Sequence, residues 1–335
     1  MPVYDALLVV SFGGPEKPAD VMPFLENVLR GRNVPRQRML EVAAHYEQFG
    51  GRSPINDQVR SLIRALQSLL GAEGPRLPVY WGNRNWRPML ADALRQMKTD
   101  GIGRALAFMT SAFSSYSGCR QYLEDIERAR QEAGPGAPEV AKLRVFYNHP
   151  GFIEAMTQRA AEALDVIPAG GRDAAELIFT AHSIPVAMAE NCRYQAQLAE
   201  ASRLVSEAVG RRQFRLVYQS RSGPPQQPWL EPDICDYLRE ARPRDAVIVP
   251  IGFLSDHLEV VYDLDIQARA VCEDLGVNMV RAATAGEHPR FIAMIRELIL
   301  ERMGQLPPRA LGELGSSHDV CPADCCAAPA PRRAF

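Results

Sequence analysis

The chain has 335 residues and a formal net charge of −2, and hydrophobic residues make up 47% of it. That length predicts about two domains, with a core large enough to fold without disulfide staples. The near-neutral charge argues against a nucleic-acid partner, and no apolar run approaches the roughly 20 residues of a transmembrane span. The short apolar start lacks a basic flank and so does not resemble a signal peptide, which predicts a cytoplasmic protein.

Short runs of apolar and β-branched residues alternate with helix-like stretches, a pattern typical of parallel strands buried on both faces. The predicted strands are Ala6–Ser11, Leu77–Trp81, Arg104–Thr110, Leu143–Tyr147, Glu176–Ala181, Arg215–Gln219, Ala246–Ile251 and Asn278–Arg281. Between them, apolar stripes at helical spacing predict helices over Ala19–Leu29, Arg36–Gln48, Asp57–Leu70, Pro88–Met97, Tyr116–Glu132, Phe152–Leu164, Arg193–Val209, Pro232–Ala241, Val260–Leu275 and Pro289–Met303.

This alternation predicts an α/β fold of two similar Rossmann-like halves, each a four-stranded parallel sheet flanked by helices. We assign residues 1–164 and 165–303 to the halves, which join where Pro and Gly cluster near Asp165–Arg172. Ligands of open α/β sheets bind beyond the carboxyl ends of the strands, so two facing halves would form a cleft there. Residues 304–335 contain many prolines and little periodicity, which predicts a flexible tail.

Familiar nucleotide-binding patterns do not occur at the strand ends. No glycine-rich fingerprint follows a strand, and Pro15 removes an amide donor from the loop after the first strand, so NAD binding is disfavoured. The sequence also has no P-loop, which counts against a generic two-domain sugar or phosphate enzyme.

The strand ends of the second half carry more promising chemistry. His182 and His257 each follow a predicted buried strand, and Asp256, Glu259 and Asp263 lie near the second of them. A lone histidine at such a position is usually structural, but two beside acids favour a site that handles protons or Fe²⁺, Co²⁺ or Zn²⁺. The alternatives are a helix-capping box formed by Asp256 and Glu259, and a solvated helix face.

Six segments carry a family pattern in order: LVVSFGGP at 8–15, YEQFGGRSP at 46–54, FTAHSIP at 179–185, VYQS at 217–220, PWL at 228–230 and GFLSDHLEVVYD at 252–263. Together they resemble the ferrochelatases of the type I chelatase group, over about Tyr4–Met303. The resemblance points to the coproporphyrin III enzymes of the actinobacterial branch. It implies a porphyrin cleft between the halves, and insertion of Fe²⁺ with release of two pyrrole protons.

The resemblance implies roles for residues of the second half. His182 would accept a pyrrole proton or bind the iron, and Glu259, on the opposite side, would carry protons away or hand over the metal. Asp263 continues this acidic line, whereas Gln267 stands where some relatives carry an acid. Trp229 would form a wall that holds the ring distorted, which exposes the nitrogen lone pairs.

The first half would bind the propionates of the porphyrin. Guanidinium groups suit carboxylates, and four arginines lie within nine residues: Arg30, Arg32, Arg36 and Arg38. The resemblance places Arg30 and Arg32 at the cleft mouth and makes Tyr46 and Ser53 propionate ligands. A solvated basic loop is the alternative for the arginines.

Two loops of the first half would face the ring itself. Gly13 lets the backbone approach the macrocycle closely, and Phe12 lies beside it. In the actinobacterial branch a tyrosine of the stretch 111–122 can bind the product iron. We choose Tyr116, because Phe12 cannot act as a ligand; otherwise Tyr116 simply packs at the start of its helix.

The choice of porphyrin follows from the same resemblance. Coproporphyrin III is favoured over protoporphyrin IX, although residues 21–25 fit either the apolar lip of the protoporphyrin enzymes or an ordinary helix face. Rival functions are a cobalt or nickel chelatase, which six histidines in all make less attractive, and a haem-binding protein without turnover. The expected partners are the porphyrin and Fe²⁺ as substrates, an iron donor, and other enzymes of the haem pathway.

The cysteines are unevenly distributed, and three of the seven crowd into the tail: Cys321, Cys325 and Cys326. Many members of the family bind a [2Fe–2S] cluster through tail cysteines and one body cysteine, and such a cluster normally needs four thiolates. The family's body cysteine corresponds to Ala155 in this chain. The fourth ligand would then be one of the body cysteines, Cys119, Cys192, Cys235 or Cys272; the alternative is a disordered, oxidisable tail.

Overall fold

The structure is a computed structural model that describes residues 3–31, 34–224 and 226–328. Its first sheet contains β1 (Ala6–Ser11), β2 (Val79–Asn83), β3 (Arg104–Met109) and β4 (Glu139–Lys142). Its second sheet contains β5 (Glu176–His182), β6 (Arg215–Gln219), β7 (Asp245–Val249) and β8 (Asn278–Arg281). All pairings are parallel, and the strand orders β2-β1-β3-β4 and β6-β5-β7-β8 are equivalent, which confirms the predicted fold of two α/β halves.

The helices of the described residues include all ten that the sequence predicts. They are α1 (Pro18–Val28), α2 (Arg36–Glu47), α3 (Ile55–Glu73), α4 (Leu90–Thr99), α5 (Gln121–Ala133), α6 (Pro150–Val166), α7 (Ala169–Arg172), α8 (Val186–Ala189), α9 (Tyr194–Ala208), α10 (Ile234–Ala241), α11 (Leu258–Val260), α12 (Arg269–Leu275) and α13 (Pro289–Arg302). Two predicted helices contain π-helical segments, at Tyr116–Arg120 and Val261–Ala268. None of the described helices combines the length and apolarity needed to cross a membrane.

The predicted fourth strand, Leu143–Tyr147, is wrong. The residues that pair with β3 are Glu139–Lys142, and the chain leaves the sheet after them. The apolar run is nevertheless buried, and Phe146 stacks on Phe108 with ring centroids 5.5 Å apart. An apolar run indicates that a segment is buried, but it does not distinguish a strand from a buried connecting segment.

The two halves meet in an aromatic core around α6. The ring of Phe152, on α6, lies 5.8 Å from Phe146 and 6.3 Å from Phe291. Helix α6 also packs against α9, α13 and β7, so this helix lies against the second sheet although the sequence assigns it to the first half. The domain boundaries at 164 and 303 stay predictions.

The tail lies along the body instead of extending freely, so the predicted flexible extension is wrong over residues 304–328. The side-chain nitrogen of Asn148 donates to the Leu311 carbonyl at 2.9 Å, and a carboxylate oxygen of Glu200 accepts from the Leu314 amide at 3.0 Å. Buried polar groups of the body thus bind the tail backbone. Because hydrogen bonds to its backbone hold the tail, its sequence shows no periodic apolar pattern.

Candidate active site

His182 lies at the carboxyl end of β5. Its Nδ1 is 2.5 Å from the Ser183 carbonyl oxygen, and the Tyr194 hydroxyl donates to the His182 carbonyl at 3.0 Å. Because a carbonyl oxygen can only accept, Nδ1 carries the proton and Nε2 of the neutral ring keeps its lone pair. The side chain is 31% exposed, so Nε2 is available to take a proton.

Glu259 faces His182 from the segment after β7. Its Oε2 lies 3.8 Å from Nε2 of His182, and its side chain is 53% exposed. The capping-box alternative is wrong, because no side chain caps α11 and Asp256 binds Nη1 of Arg281 at 2.7 Å. The Glu259 carboxylate is therefore free to pair with a protonated His182.

Asp263 lies behind this pair, in the π-helix Val261–Ala268. The Ser220 hydroxyl and Nε2 of Gln219 both donate to its Oδ2, the latter at 3.4 Å. Gln219 also donates to the Glu259 carbonyl at 3.2 Å. Burial, together with the nearby Glu259 carboxylate, raises the pKa of Asp263 to about 7, so this carboxyl can exchange a proton near neutral pH.

Gln219 and Ser220 are site residues that the sequence reasoning did not single out. Ser220 has a φ of 63°, a left-handed conformation that is uncommon outside glycine and often marks a functional site. The sequence could have indicated them, since these polar residues stand at the end of β6, the strand that pairs with β5. Of the outer residues, Gln267 is exposed and makes no side-chain hydrogen bond among the described residues.

His257 and Trp229 lie at the same edge of the second sheet. The His257 ring packs edge-on against Phe253, with centroids 5.2 Å apart, and burial lowers its pKa. Trp229 belongs to a segment that runs beside the chain following His182, where the Leu230 amide donates to the Ile184 carbonyl at 3.0 Å. The role of Trp229 as a wall of the cleft stays a prediction.

The first half closes against this edge through α1 and α2. Tyr46 packs in an apolar cluster that includes Leu258, and the ring of His45 stacks on Tyr262 at 3.9 Å. Burial and the nearby Glu259 carboxylate raise the pKa of Tyr46. The structure therefore brings a predicted propionate ligand close to Glu259, the carboxylate that faces His182.

Residues 21–25 lie on α1, where Met22 is half-buried and Pro23 is exposed. Val21, Phe24 and Leu25 are all buried, and the Phe24 ring lies 6.0 Å from Tyr46. The structure thus favours the helix-face interpretation of this segment over an exposed apolar lip.

The loop after β1 holds Phe12 and Gly13. Phe12 is exposed, with the Arg84 guanidinium 6.0 Å from its ring centroid. Gly13 has a φ of 82°, and a Cβ there would lie 2.8 Å from Cβ of Asn83, so the loop requires glycine. The exposed ring is thereby presented at the carboxyl end of the first sheet.

The other predicted propionate ligands differ in accessibility. Arg30 is exposed just after α1, whereas Arg32 lies outside the described residues. Arg38 pairs with Glu41 at 2.9 Å on the surface. Ser53 is buried, and its hydroxyl accepts from an amide at the start of α3. The propionate roles of these residues stay predictions.

Tyr116 opens the π-helix that follows β3. Its hydroxyl donates to Glu124 at 3.0 Å, and burial, with this hydrogen bond, raises its pKa. Ser115 caps the segment by accepting from the Gly118 amide at 2.9 Å. The packed-helix interpretation of Tyr116 thus describes the geometry seen here, and its role as an iron ligand stays a prediction.

The tail cysteines gather beside this same π-helix. The ligand atoms of His318, Cys321 and Cys325 lie within 4.8 Å of one another, and the sulfurs of Cys325 and Cys326 are 3.7 Å apart. Cys321, which lowers the pKa of the Cys119 thiol, and Cys326 and burial, which raise it, leave that pKa raised to about 11, so this buried thiol of the π-helix lies near the tail cysteines. Soft thiolates in this number suit an iron–sulfur cluster.

Two solved structures share the fold. The DR2241 protein of Deinococcus radiodurans matches 94% of this chain with a TM-score of 0.55 and 16% identity, and the chain spans 57% of that larger protein. The SirB protein of Bacillus subtilis, solved with Fe³⁺, matches 90% of this chain and 98% of its own, with a TM-score of 0.54 and 12% identity. The fold is therefore that of the chelatases.

Sequence relatives narrow the class. The family model described as Ferrochelatase matches residues 4–303, so the chain belongs to the ferrochelatase family. It is 58% identical to the ferrochelatase of Rhodopirellula baltica, over 97% of this chain and 94% of that one. It is 50% identical to the coproporphyrin III ferrochelatase of Streptomyces coelicolor, over 99% and 95%. The resemblance stated from the sequence is confirmed.

Proposed function

We propose that this chain inserts Fe²⁺ into coproporphyrin III to give coprohaem in haem biosynthesis. The observation that carries the proposal is the pair of His182 and Glu259, 3.8 Å apart where β5 and β7 end. Two pyrrole protons must leave the ring as the metal enters. A neutral imidazole with a free Nε2 beside an open carboxylate has the chemistry to take them.

The proton then moves away from the ring along the acidic line. Protonated His182 pairs with Glu259, and Asp263, with a pKa of about 7, is the next acceptor. Gln219 supports this order, because it donates both to the Glu259 backbone and to the Asp263 carboxylate. The same oxygens suit Fe²⁺ on its way to the ring, so the line serves the metal or the protons.

The first half holds the porphyrin. Phe12 and Gly13 approach the ring after β1, Trp229 supports it from the second half, and Tyr116 binds the product iron. Propionates are bound by Arg30 and Arg32 at the cleft mouth, and by Tyr46 and Ser53 inside.

Coproporphyrin III is preferred to protoporphyrin IX on two grounds. Several relatives are named coproporphyrin III ferrochelatases, and the one from Nocardia farcinica is 51% identical to this chain. In addition, Val21, Phe24 and Leu25 pack inward, so the large apolar side chains of this segment are not displayed as a lip for a membrane-derived substrate. We also propose a cytoplasmic location, consistent with seven free thiols, and an iron donor as partner.

The test is anaerobic incubation of the purified chain with Fe²⁺ and either coproporphyrin III or protoporphyrin IX, followed by absorbance. We expect metallation of coproporphyrin III at least about tenfold faster. Faster metallation of protoporphyrin IX would reverse the choice of substrate, and metallation of neither would reject the enzyme.

We further propose that the tail binds a [2Fe–2S] cluster through Cys321, Cys325 and Cys326. The close approach of these thiols supports the proposal: the ligand atoms of Cys321 and Cys325 lie within 4.8 Å of each other, and the sulfurs of Cys325 and Cys326 are 3.7 Å apart. Purification without oxygen should give a coloured protein with iron and acid-labile sulfide. A colourless protein free of both would reject the cluster.

A further inference from the structure

We propose that Gln58 and Gln197 are a crossed pair of positioning residues, each of which holds the site loop of the opposite half in place for iron insertion. Gln58 lies on α3 in the first half and binds the loop after β7. Gln197 lies on α9 in the second half and binds the loop after β3. The effect on turnover rests on the proposed function, whereas the contacts themselves can be tested without it.

The side chain of Gln58 binds the backbone of Asp256 through both of its polar atoms. Its Oε1 accepts from the Asp256 amide at 2.8 Å, and its Nε2 donates to the Asp256 carbonyl at 3.3 Å. A paired contact fixes the direction of approach as well as the distance, because hydrogen bonds weaken steeply when they are misaligned. Asp256 precedes Glu259 by three residues, so this contact holds the loop that presents the Glu259 carboxylate.

Arg281 connects this loop to the π-helix of the acidic line. Its Nη1 donates to the Asp256 carboxylate at 2.7 Å, and its Nε and Nη2 donate to Asp265 at 2.6 and 2.9 Å. The Arg281 side chain is 16% exposed, so these charge-assisted bonds are largely shielded from salt. Glu259 and Asp263 lie between the two carboxylates in the chain. Their segment is therefore held at both ends, and one of these ends is bound to the first half.

Gln197 makes the same kind of contact in the opposite direction. Its Oε1 accepts from the Ser114 amide at 2.7 Å, and its Nε2 donates to the Ser114 hydroxyl at 3.0 Å. Gln197 is buried, so its amide would be costly to leave without this partner. Ser115, the next residue, caps the π-helix that begins at Tyr116. Gln197 thus holds the first-half loop from which this π-helix starts.

The two contacts occupy equivalent places in the repeated fold. Gln58 is the fourth residue of α3 (Ile55–Glu73), and Gln197 is the fourth residue of α9 (Tyr194–Ala208). Each of these helices leads into an edge strand of its own sheet, β2 or β6. The loops that they bind follow β3 and β7, which also correspond in the two strand orders. The pair therefore follows the symmetry of the halves, which a chance contact would have no reason to do.

The crossed contacts connect the distance between the halves to the geometry of the site. Gln58 positions Glu259 relative to His182, whose Nε2 lies 3.8 Å from the carboxylate. Gln197 positions the loop that leads to Tyr116, a proposed contact of the porphyrin. Small displacements of reacting groups lower turnover strongly. We therefore expect loss of the Gln58 contact to lower kcat, and loss of the Gln197 contact to raise KM for the porphyrin.

The experiment compares the wild type with Gln58→Met, Gln197→Met and Gln67→Met, the last being an exposed site on α3 that serves as the matched control. Methionine keeps the length of the side chain, but it donates no hydrogen bond and accepts only weakly. Hydrogen exchange should become at least about threefold faster at 255–265 in Gln58→Met, and at 113–120 in Gln197→Met. Each variant should match the wild type at the other loop, and Gln67→Met should match it at both.

Steady-state rates of iron insertion give the second measurement. Gln58→Met should lower kcat by about tenfold and change KM by less than about twofold. Gln197→Met should raise KM for the porphyrin by about fivefold with kcat nearly unchanged. Gln58→Glu keeps the shorter bond, from the Asp256 amide, and should give a kcat between those of the wild type and Gln58→Met. A purely stabilising role would not separate kcat from KM in this way.

Ser114→Ala covers the case in which Gln197→Met does not fold. It removes only the hydroxyl that accepts from Gln197 and keeps the contact through the amide. Exchange at 113–120 and KM should therefore rise in the same direction by a smaller amount, and no change in either would contradict the role of Gln197.

Unchanged exchange at 255–265 in Gln58→Met, or faster exchange at both loops in either variant, would overturn the crossed arrangement. Faster exchange at 255–265 together with a wild-type kcat would overturn the positioning role of Gln58. A wild type that metallates no porphyrin would instead reject the proposed function. In that case the exchange pattern alone would decide whether each glutamine holds the loop of the opposite half.

Discussion

The two halves share one strand order but carry different chemistry at their strand ends. In the second half these ends present His182 and the acidic line that begins at Glu259. In the first half the equivalent ends present Phe12, the π-helix with Tyr116, and Cys119. The scaffold thus determines where loops converge, and the loops determine which side chains each half presents there.

The largest predicted effect on activity is that of replacing His182, in the second half. His182→Ala removes the group whose Nε2 faces Glu259, so we expect kcat/KM for iron insertion to fall by about 10³–10⁴-fold. Porphyrin binding, followed by fluorescence quenching, should change less than about threefold, because the proposed ring contacts lie mainly in the first half. Activity above a tenth of wild type would remove His182 from the mechanism.

Glu259→Gln tests the acceptor of the same pair. The amide keeps the shape but cannot accept a proton from His182, and we expect kcat to fall by about 10²-fold. Glu273→Gln, an exposed site on α12, is the matched control and should keep full activity. Equal rates in the two variants would show that the second half works without this carboxylate.

The junction between the halves should affect stability and not chemistry. Arg144 binds Glu301 in a buried pair, with Nε to Oε2 at 2.8 Å. Glu301→Gln leaves the guanidinium unpaired and should lower the free energy of unfolding by about 3 kcal/mol at pH 7. Activity per folded chain should stay within about twofold of wild type.

The pH dependence sharpens this prediction. Burial alone would raise the pKa of Glu301, but hydrogen bonds from His149 and Arg144 lower it below 4.5. The stabilisation is therefore present above pH 4.5 and is lost as the pH falls through the lowered value. Below that pKa, the free energies of unfolding of Glu301→Gln and wild type should converge in denaturant titrations. Glu162→Gln, which alters a surface pair, should match wild type at every pH. A constant difference down to pH 3 would contradict the ionised pair.

The smallest effect is expected one step further along the acidic line. Asp263→Asn keeps the hydrogen bonds available from Ser220 but removes the last proton acceptor, so kcat should fall by about tenfold. The loss should be larger at pH 8 than at pH 6, because the wild-type carboxyl ionises near pH 7. A uniform loss across this range would assign Asp263 a structural role.

Much of this architecture could be predicted from local patterns. Composition and spacing predict buried strands and amphipathic helices. His182 was found because it stands at the end of such a strand. The fourth strand was misplaced, since Leu143–Tyr147 is as apolar as a strand but follows the residues that pair with β3, to which it adds the hydrogen bond from the Leu143 amide to the Ala107 carbonyl. The π-helices were missed because a turn widened by one residue hardly alters an apolar stripe.

The sequence by itself determined the two α/β halves and the positions of His182, Glu259 and Asp263 after the strands of the second half. Each of these depends on patterns within a few residues of one another. Only the tertiary structure decided that Ser220 and Gln219 hold Asp263, that the tail docks, and that Arg120 binds the tail backbone beside the tail thiols. Those contacts join distant positions, as Arg120 and Cys325 do across 205 residues, and local patterns carry no information about such pairs.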